Sequence, residues 1–567
     1  MLHLIPAVKE VELTGGYLAH GGVFCRGTEV DARLLAALEQ LPQDEAGAEV
    51  IFRVGDGAAE DYHLTVEAHR ITVEAGGPAG AFYAIQTLRQ LFTHDRVPCL
   101  RIADRPDFAY RGFYHDVTRG RVPTLETLKA LADRMAYHKL NSLQLYVEHV
   151  FPFAECRALN ESAGCLTPEE LRELDSYCRE RFIDFVPSLS TFGHLYELLN
   201  QEPYRHLRMV SDCGEINTWH ARMCHHTIDP LHPESFPLVR HLMDQYAPCF
   251  GSEKFNICCD ETFDLQEYEQ RGVNVGQVYA DFVGRLIDDV KRRGKQAMLW
   301  ADILLKYPET IERIPDDVLF LNWNYAAQPP EETVARLAAA GKRQIVCPGT
   351  SAWNRLCEDV DTEEQNISRM ARYGRQYGAE GLLNTNWGDW GHLCSPELAQ
   401  YGLLLGAEKA WSEATAADGA WESHVDALLY EREGAVACLR AVSALQTQVS
   451  WKAFVRNYDK RRFDRGEYCR AVRTDVAAVQ AQYEALRAKL TGQTWRQDRF
   501  RQELLLAAEG VCLMAELNAI IMGEDCVRCT DTEGWLAKFG SSWLKSSKPS
   551  ELWRIEEVFR WCEAWRA

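Results

Sequence analysis

Two adjacent carboxylates, Asp260 and Glu261, follow directly on the run Phe255-Asn256-Ile257-Cys258-Cys259. The run has the length and composition of a fully buried strand, so both acids fall at its C-terminal end. Barrel enzymes keep their chemistry just past such ends. Neighbours on a strand face opposite sides, which predicts different hydrogen-bonding roles for the two acids. One can reach a bond being broken while the other holds another part of the same ligand. An acidic N-cap for the following segment is the competing explanation.

The elements that must position this pair are legible as a rhythm of strand, loop and helix from Tyr110 onward. Strands are expected at 110–116, 141–147, 183–188, 255–259, 296–300, 318–323, 343–348 and 380–386. Amphipathic helices lie between most of them, as over 124–138, 168–181 and 276–293. The pattern fits an α/β protein built on a closed (β/α)8 TIM barrel. An open doubly wound sheet is the alternative, but no Gly-rich phosphate loop follows the first strand.

Three domains are expected. Residues 1–105 form a small α/β domain, with alternating strands at Tyr62–Val66 and Ile71–Glu74 and a helical pattern over Ala81–Phe92. Arg105-Pro106 marks its end, since the residue before proline avoids the helical region. The barrel occupies 106–412. Residues 413–567 read as a helical region that packs on the barrel or mediates self-association, which makes a homodimer an expectation. Its tryptophans (Trp543, Trp553, Trp561, Trp565) read as packing residues.

The ends of the other strands carry an unusual collection. They hold Arg111 and Asp116, Glu148-His149, Ser190-Thr191-Phe192-Gly193-His194, Trp300 with Asp302, Trp323-Asn324-Tyr325, Trp353 and Trp387-Gly388-Asp389. Flat indole walls cover the apolar faces of sugar rings, and acids and amides bind hydroxyls. The composition points to a carbohydrate pocket with acid catalysis. A metal site using His194, His225 and His226 competes, but no H-E-x-x-H or comparable ligand spacing appears. Neither a metal nor a cofactor is expected.

A net charge of −21 argues against nucleic-acid or anionic-membrane partners. No apolar run in the sequence approaches the length of a membrane span, and Met1–Glu10 lacks the features of a secretory leader. The 19 cysteines are odd in number and without framework spacing, so they read as reduced thiols in a cytoplasmic protein. Cys526-Val527-Arg528-Cys529 is a weak metal or redox signal with no second pair near it.

Tyr110-Arg111-Gly112-Phe113-Tyr114-His115-Asp116-Val117 resembles the opening barrel strand of glycoside hydrolase family 20, the β-N-acetylhexosaminidases. Asn256-Ile257-Cys258-Cys259-Asp260-Glu261 resembles that family's catalytic strand, which usually reads His-Ile-Gly-Gly-Asp-Glu. Within the family, Glu148-His149-Val150-Phe151-Pro152 and Thr191-Phe192-Gly193-His194 resemble motifs of hexosaminidase D-type enzymes. The likeness spans roughly residues 60–410.

The resemblance implies substrate-assisted retention, an exception to the two-carboxylate rule. The substrate's acetamido oxygen would be the nucleophile and Glu261 the acid and then the base. The Glu261 pKa would be raised by a partly desolvated pocket. Asp260 would hold the acetamide N–H, with Glu148 and His194 as a relay orienting Glu261. Arg111 would grip the sugar's 3- and 4-hydroxyls, Trp387 lie under the ring, and Asp389 bind the 4- or 6-hydroxyl. Trp300 and Trp323 would line the acetamide pocket. Cys258-Cys259 replaces the usual glycines. Trp353 stands where a tyrosine donor to the acetamide oxygen is expected, so Tyr325 is the candidate donor.

The expectation is an exo-acting β-N-acetylhexosaminidase releasing GlcNAc or GalNAc, with 6-sulfated GlcNAc an open case, from oligosaccharides or glycoconjugates. A non-catalytic sugar-binding barrel and a glycosidase indifferent to the acetamido group are the rivals.

Overall fold

The computed structural model describes residues 2–19, 21–26, 30–55, 57–156, 164–210, 222, 226–413, 420–460 and 474–565. The first unit is a six-stranded sheet built from β1 (Glu10–Tyr17), β2 (Val23–Phe24), β3 (Ala48–Val54), β4 (Tyr62–Val66), β5 (Arg70–Ala75) and β6 (Pro98–Asp104). Its strand order is β1-β6-β4-β5-β3-β2. Helix Pro78–Leu91 packs on β4 and β5, started by a proline in its first turn where no N–H is needed.

Eight parallel strands then close into a barrel. They are β7 (Tyr110–Asp116), β8 (Ser142–Val147), β9 (Asp184–Leu189), β10 (Lys254–Asn256), β11 (Gln296–Trp300), β12 (Leu319–Trp323), β13 (Gln344–Cys347) and β14 (Gly381–Asn386). β14 pairs in register with β7, which joins the two ends of the sheet. The intervening helices start where their caps dictate. Thr167 and Glu170 form a reciprocal capping box, and Thr124 and Asn274 each accept a backbone N–H.

Side chains fill the barrel. Tyr110, Tyr114, Tyr146, Val186, Met298, Leu321 and Ile345 are buried in one interior cluster. Two polar groups sit among them and are satisfied: Gln144 donates to Tyr110 Oη (2.8 Å), and Asn256 donates to Gln144 Oε1 (2.9 Å).

All eight expected strands are present, but β10 is shorter than expected, ending at Asn256 rather than 259. The cause is backbone geometry. Cys258, Cys259 and Glu261 have φ of 56°, 67° and 47°, so the chain turns left-handed directly after the strand. Asn256 Oδ1 accepts from Cys258 N (2.9 Å) and braces that turn.

Beyond the barrel the chain is helical, including Ala435–Gln446, Trp451–Asp459, Val476–Thr491, Asp498–Met522, Thr532–Ser546 and Leu552–Ala564. Helix Asp498–Met522 is long and apolar enough to cross a membrane, which the sequence reading did not anticipate. Its most apolar window is 83% buried inside the protein, as befits a core helix surrounded by the others. The helical region grips the loops at the C-terminal mouth of the barrel. Thr124 N donates to Ser546 O (3.1 Å), Lys548 N to Val122 O (2.8 Å) and Trp451 Nε1 to Trp390 O (2.7 Å). Trp543 is fully buried, whereas Trp553 is 51% exposed and packs less than expected.

Arg111 lies at the other end of the barrel. It is the second residue of β7, fully buried, and its guanidinium pairs with Glu60 of the N-terminal domain at 2.7 Å. It also donates to the carbonyls of Lys139 (3.0 Å) and Phe108 (2.9 Å). The expected contact of Arg111 with sugar hydroxyls is therefore corrected: Arg111 locks the two domains together at the barrel's N-terminal face.

Breaking a buried pair from one side leaves an uncompensated charge. Arg111→Met should destabilise the protein by about 3 kcal/mol or more in urea melts, with the KM of the folded fraction unchanged. A raised KM without loss of stability would return Arg111 to the substrate.

Candidate active site

The left-handed turn after β10 decides where the two acids point. With regular strand geometry gone, neighbours need not face opposite sides, and Asp260 and Glu261 converge on one imidazole. Asp260 Oδ2 is 3.2 Å and Glu261 Oε2 3.4 Å from His194 Nε2. His194 itself has φ of 57° and is 2% exposed. The preceding Gly193 presses against the Asp260 carbonyl, and any Cβ there would collide with it. The thiols replacing the usual glycines are buried. Cys258 Sγ lies 3.4 Å from Ser188 Oγ, and Cys259 Sγ lies 3.4 Å from Thr191 Oγ1.

Arg119, which the sequence reading missed, is the cation of the site. Its Nη1 is 2.5 Å from Asp389 Oδ1, its Nε 3.2 Å from Glu148 Oε1, and its Nη2 3.1 Å from Tyr146 Oη and 3.2 Å from His194 Nδ1. Its guanidinium also lies over the rings of Tyr146 and Trp387, at 4.8 and 5.3 Å. Asp116, at the end of β7, holds this loop in place. It accepts from the backbone N–H groups of Thr118 (2.9 Å), Arg119 (3.0 Å) and Gly388 (3.0 Å).

Glu148 does not touch His194 directly. Arg119 stands between them, so the expected two-residue relay is a chain from Glu148 through Arg119 to His194. Burial would raise Glu148, but Arg222 (3.4 Å) and Arg119 hold its carboxyl down to about 2. Glu551, from the helical C-terminal region, anchors Arg222 at 2.9 Å.

The aromatic residues form one wall. Trp300 is fully buried against Tyr114 (ring centroids 5.1 Å) and Trp387 (5.8 Å). Trp323 stacks on Tyr325 (5.1 Å), and Tyr325 meets Trp353 edge-on (5.0 Å). Gly349 makes room for that corner, because a Cβ there would lie 2.9 Å from Trp353 and 3.0 Å from Tyr325. Trp387 Nε1 donates to Tyr325 Oη (2.7 Å), and the Tyr325 hydroxyl also meets the Thr385 side chain.

The protonation of the site departs from expectation. Burial acts to raise Glu261, but the hydrogen bond and charge of His194, then Arg119, pull it well below the ordinary carboxylate range. Burial acts to lower His194, but Asp260 and then Glu261 raise it, against Arg119 on the Nδ1 side. Asp302 Oδ2 accepts from Glu261 N (3.0 Å), and burial with neighbouring Asp260 pushes its carboxyl up. The free pocket thus keeps its proton on the imidazole, where a raised Glu261 was expected.

His194, Asp260 and Glu261 bring ligand atoms within 4.8 Å of one another, a spacing that suits a cation, but Arg119 already places a fixed positive charge beside them. His226 stacks on His194 (4.5 Å), and its Nδ1 accepts from His194 N (2.9 Å). His225 lies outside the described residues. Two larger cavities, about 560 and about 1000 Å³, lie against helix Leu125–Tyr137 and touch neither Asp260 nor Glu261.

Paired acids, an aromatic wall and a fixed arginine at a barrel mouth define a sugar-processing enzyme of the TIM-barrel class. Family comparisons are specific. Residues 108–439 match the glycosyl hydrolase family 20 catalytic domain, and residues 2–105 match domain 2 of that family. The chain belongs to glycosyl hydrolase family 20. It is 26% identical to a β-N-acetylhexosaminidase of Cellulomonas fimi, over 54% of this chain and 61% of that protein. It is 24% identical to human hexosaminidase D, over 37% of this chain and 43% of that one. The matched segments span about three-fifths or less of these relatives' own length. In fold, it is similar to Flavobacterium johnsoniae chitobiase (TM-score 0.61, 17% identity, 98% of this chain and 99% of that chain).

The acid–imidazole pair makes a prediction about pH. Glu261, held down in the folded state, contributes stability present above its unfolded pKa and lost as pH falls. His194, held up, contributes stability present below its unfolded pKa and lost as pH rises. Both contributions are complete between the ordinary carboxylate and imidazole values, roughly pH 4.5–6.5. The gap in Tm between the wild type and His194→Asn should be widest there and narrow steadily toward pH 9. A gap independent of pH would show that the pair is not charged.

Proposed function

We propose that the protein is a retaining, substrate-assisted exo-β-N-acetylhexosaminidase that removes terminal β-linked GlcNAc or GalNAc. The observation that carries this reading is the disposition of the acids. Asp260 and Glu261 share one imidazole nitrogen, so they cannot straddle a glycosidic bond. Glu148 and Asp389 are engaged by Arg119. Two-carboxylate glycosidases place their acids on either side of the scissile bond, whereas the acetamido-assisted mechanism needs only one acid there.

In this reading Glu261 protonates the leaving oxygen and then activates water. Asp260, whose Oδ1 is buried with no protein partner, takes the acetamide N–H and stabilises the charge that develops as the ring closes. Arg119 and Asp389 bind the sugar's outer hydroxyls, Trp387 underlies the ring, and Trp300, Trp323 and Trp353 enclose the acetamido methyl. The Cellulomonas fimi and human relatives, named for hexosaminidase activity, support the substrate class.

The test is an intermediate mimic. A GlcNAc-derived thiazoline should bind at least about a hundredfold tighter than GlcNAc, since it resembles the state the pocket stabilises. Asp260→Asn should shrink that ratio. Equal affinity of the wild type for both, or equal turnover of matched p-nitrophenyl glucoside and N-acetylglucosaminide, would overturn the reading.

Tyr325 is assigned as donor to the acetamide oxygen. Tyr325→Phe keeps the ring and removes one hydrogen bond to a group gaining charge, a loss of about 1.5–3 kcal/mol, or roughly tenfold to a hundredfold in kcat/KM. A neutral Tyr325→Phe beside a strongly impaired Trp353→Phe would move the role to the indole.

A further inference from the structure

A groove of about 300 Å³ opens beside the Glu261 carboxylate, between the segment following β10 and the short helix Asp302–Lys306. The volume is at the lower end of the range for small-molecule sites. Leu265 and Ile303 form its buried floor, and Phe263, Tyr307 and Trp323 stand around it. Phe263 is 45% exposed, although it adjoins a buried catalytic turn. Its ring meets His226 (6.1 Å) on one side, and its open part is a surface that suits a sugar's apolar face.

Lys306 also lines the groove. Asp302 stands four residues earlier on the same helix, at a spacing that commonly pairs. Yet among the described residues no carboxylate comes within ion-pair distance of Lys306, whose Nζ lies 5.1 Å from the Tyr307 ring centre. Lys306 is solvent-exposed, so its ammonium is open to a charged ligand in the groove. The direction of the reaction says which ligand enters. In the proposed reaction Glu261 delivers its proton to the leaving oxygen, so the leaving group departs on the Glu261 side, where this groove opens.

We propose that the groove is the leaving-group subsite and that Lys306 selects an acidic sugar there, one bearing a carboxylate such as a uronic acid. This rests on the N-acetylhexosaminidase reading. Phe263 takes the ring and Lys306 takes its charge. Burial and neighbouring Asp260 push the Asp302 carboxyl up, which lessens its opposition to such a ligand.

The experiment compares kcat/KM for two disaccharides, β-GlcNAc linked to glucuronic acid and β-GlcNAc identically linked to glucose, with p-nitrophenyl β-GlcNAc as reference. The wild type should favour the acidic disaccharide. Lys306→Gln should lower the preference by about twofold to fivefold, the worth of a partly exposed ion pair, and Lys306→Glu should invert it. About 0.5 M salt should remove most of it, and Lys291→Ala, remote from the groove, should leave it intact. A wild type without preference, or a preference that survives Lys306→Glu, overturns the proposal while the reference activity stands. Loss of activity on all three substrates in the wild type would overturn the hexosaminidase reading first, and this one with it.

Discussion

A single guanidinium makes this barrel mouth possible. Asp116, Glu148, Asp260 and Asp389 crowd within one small region, and the first three are nearly or fully buried. Buried carboxylates are tolerated when they are paired and hydrogen-bonded. Arg119 meets that need for Glu148 and Asp389 directly, while Asp116 holds its backbone. Arginine suits the task because its planar fork donates in several directions at once. Arg222 repeats the device one step further out, and its partner Glu551 comes from beyond the barrel. The helical C-terminal region is therefore part of the electrostatic scaffold of the site. It also supplies backbone contacts that hold the loop carrying Arg119.

The second constraint is conformational. Three non-glycine residues of the segment 258–261 adopt positive φ, each costing on the order of 1–3 kcal/mol unless its surroundings compensate. The compensation is visible. Asn256 caps the turn from below, Tyr279 Oη donates to Cys259 O (2.8 Å), Thr191 Oγ1 donates to Ile257 O (2.5 Å), and both thiols fill space inside the protein. Glycine would relieve the strain at 258 and 259 but leave those spaces empty. The strain is what lets two sequence neighbours share one imidazole.

Much of this was legible in the sequence, for a physical reason. Parallel barrel strands are buried on both faces, so they read as short apolar runs between amphipathic helices, and all eight appeared, with β10 cut short at Asn256 by the turn that follows it. The strand-end rule also located Glu148, His194, Glu261, Trp323, Tyr325, Trp387 and Asp389 at one mouth. It failed at Arg111 because the rule was set aside there: Arg111 is near the start of its strand, and Arg119 follows the strand's end. A cation beyond Asp116 was the available signal. The turn at 258–261 was hidden because cysteine does not announce positive φ as glycine does. The contributions of Glu60 and Glu551 were out of reach, since each lies far in sequence from its arginine and in a region with no chemical pattern of its own.

The protonation pattern completes the argument. A general acid must hold its proton when the leaving oxygen needs it, yet in the open pocket His194 draws the charge balance toward imidazolium and Glu261 carboxylate. A bound sugar removes water from Glu261, and desolvation favours its neutral form. The donor and acceptor of that proton, His194 Nε2 and Glu261 Oε2, are 3.4 Å apart. Arg119, 3.2 Å from Nδ1, already opposes the imidazolium from the other side, so it assists the transfer without touching the proton. Asp260 Oδ2 lies 3.2 Å from the same nitrogen, and in the proposed reaction it faces the acetamide N–H and a developing positive charge. In the proposed reaction, binding of the acetamido sugar separates the roles of two neighbouring acids, and a sugar without that group does not.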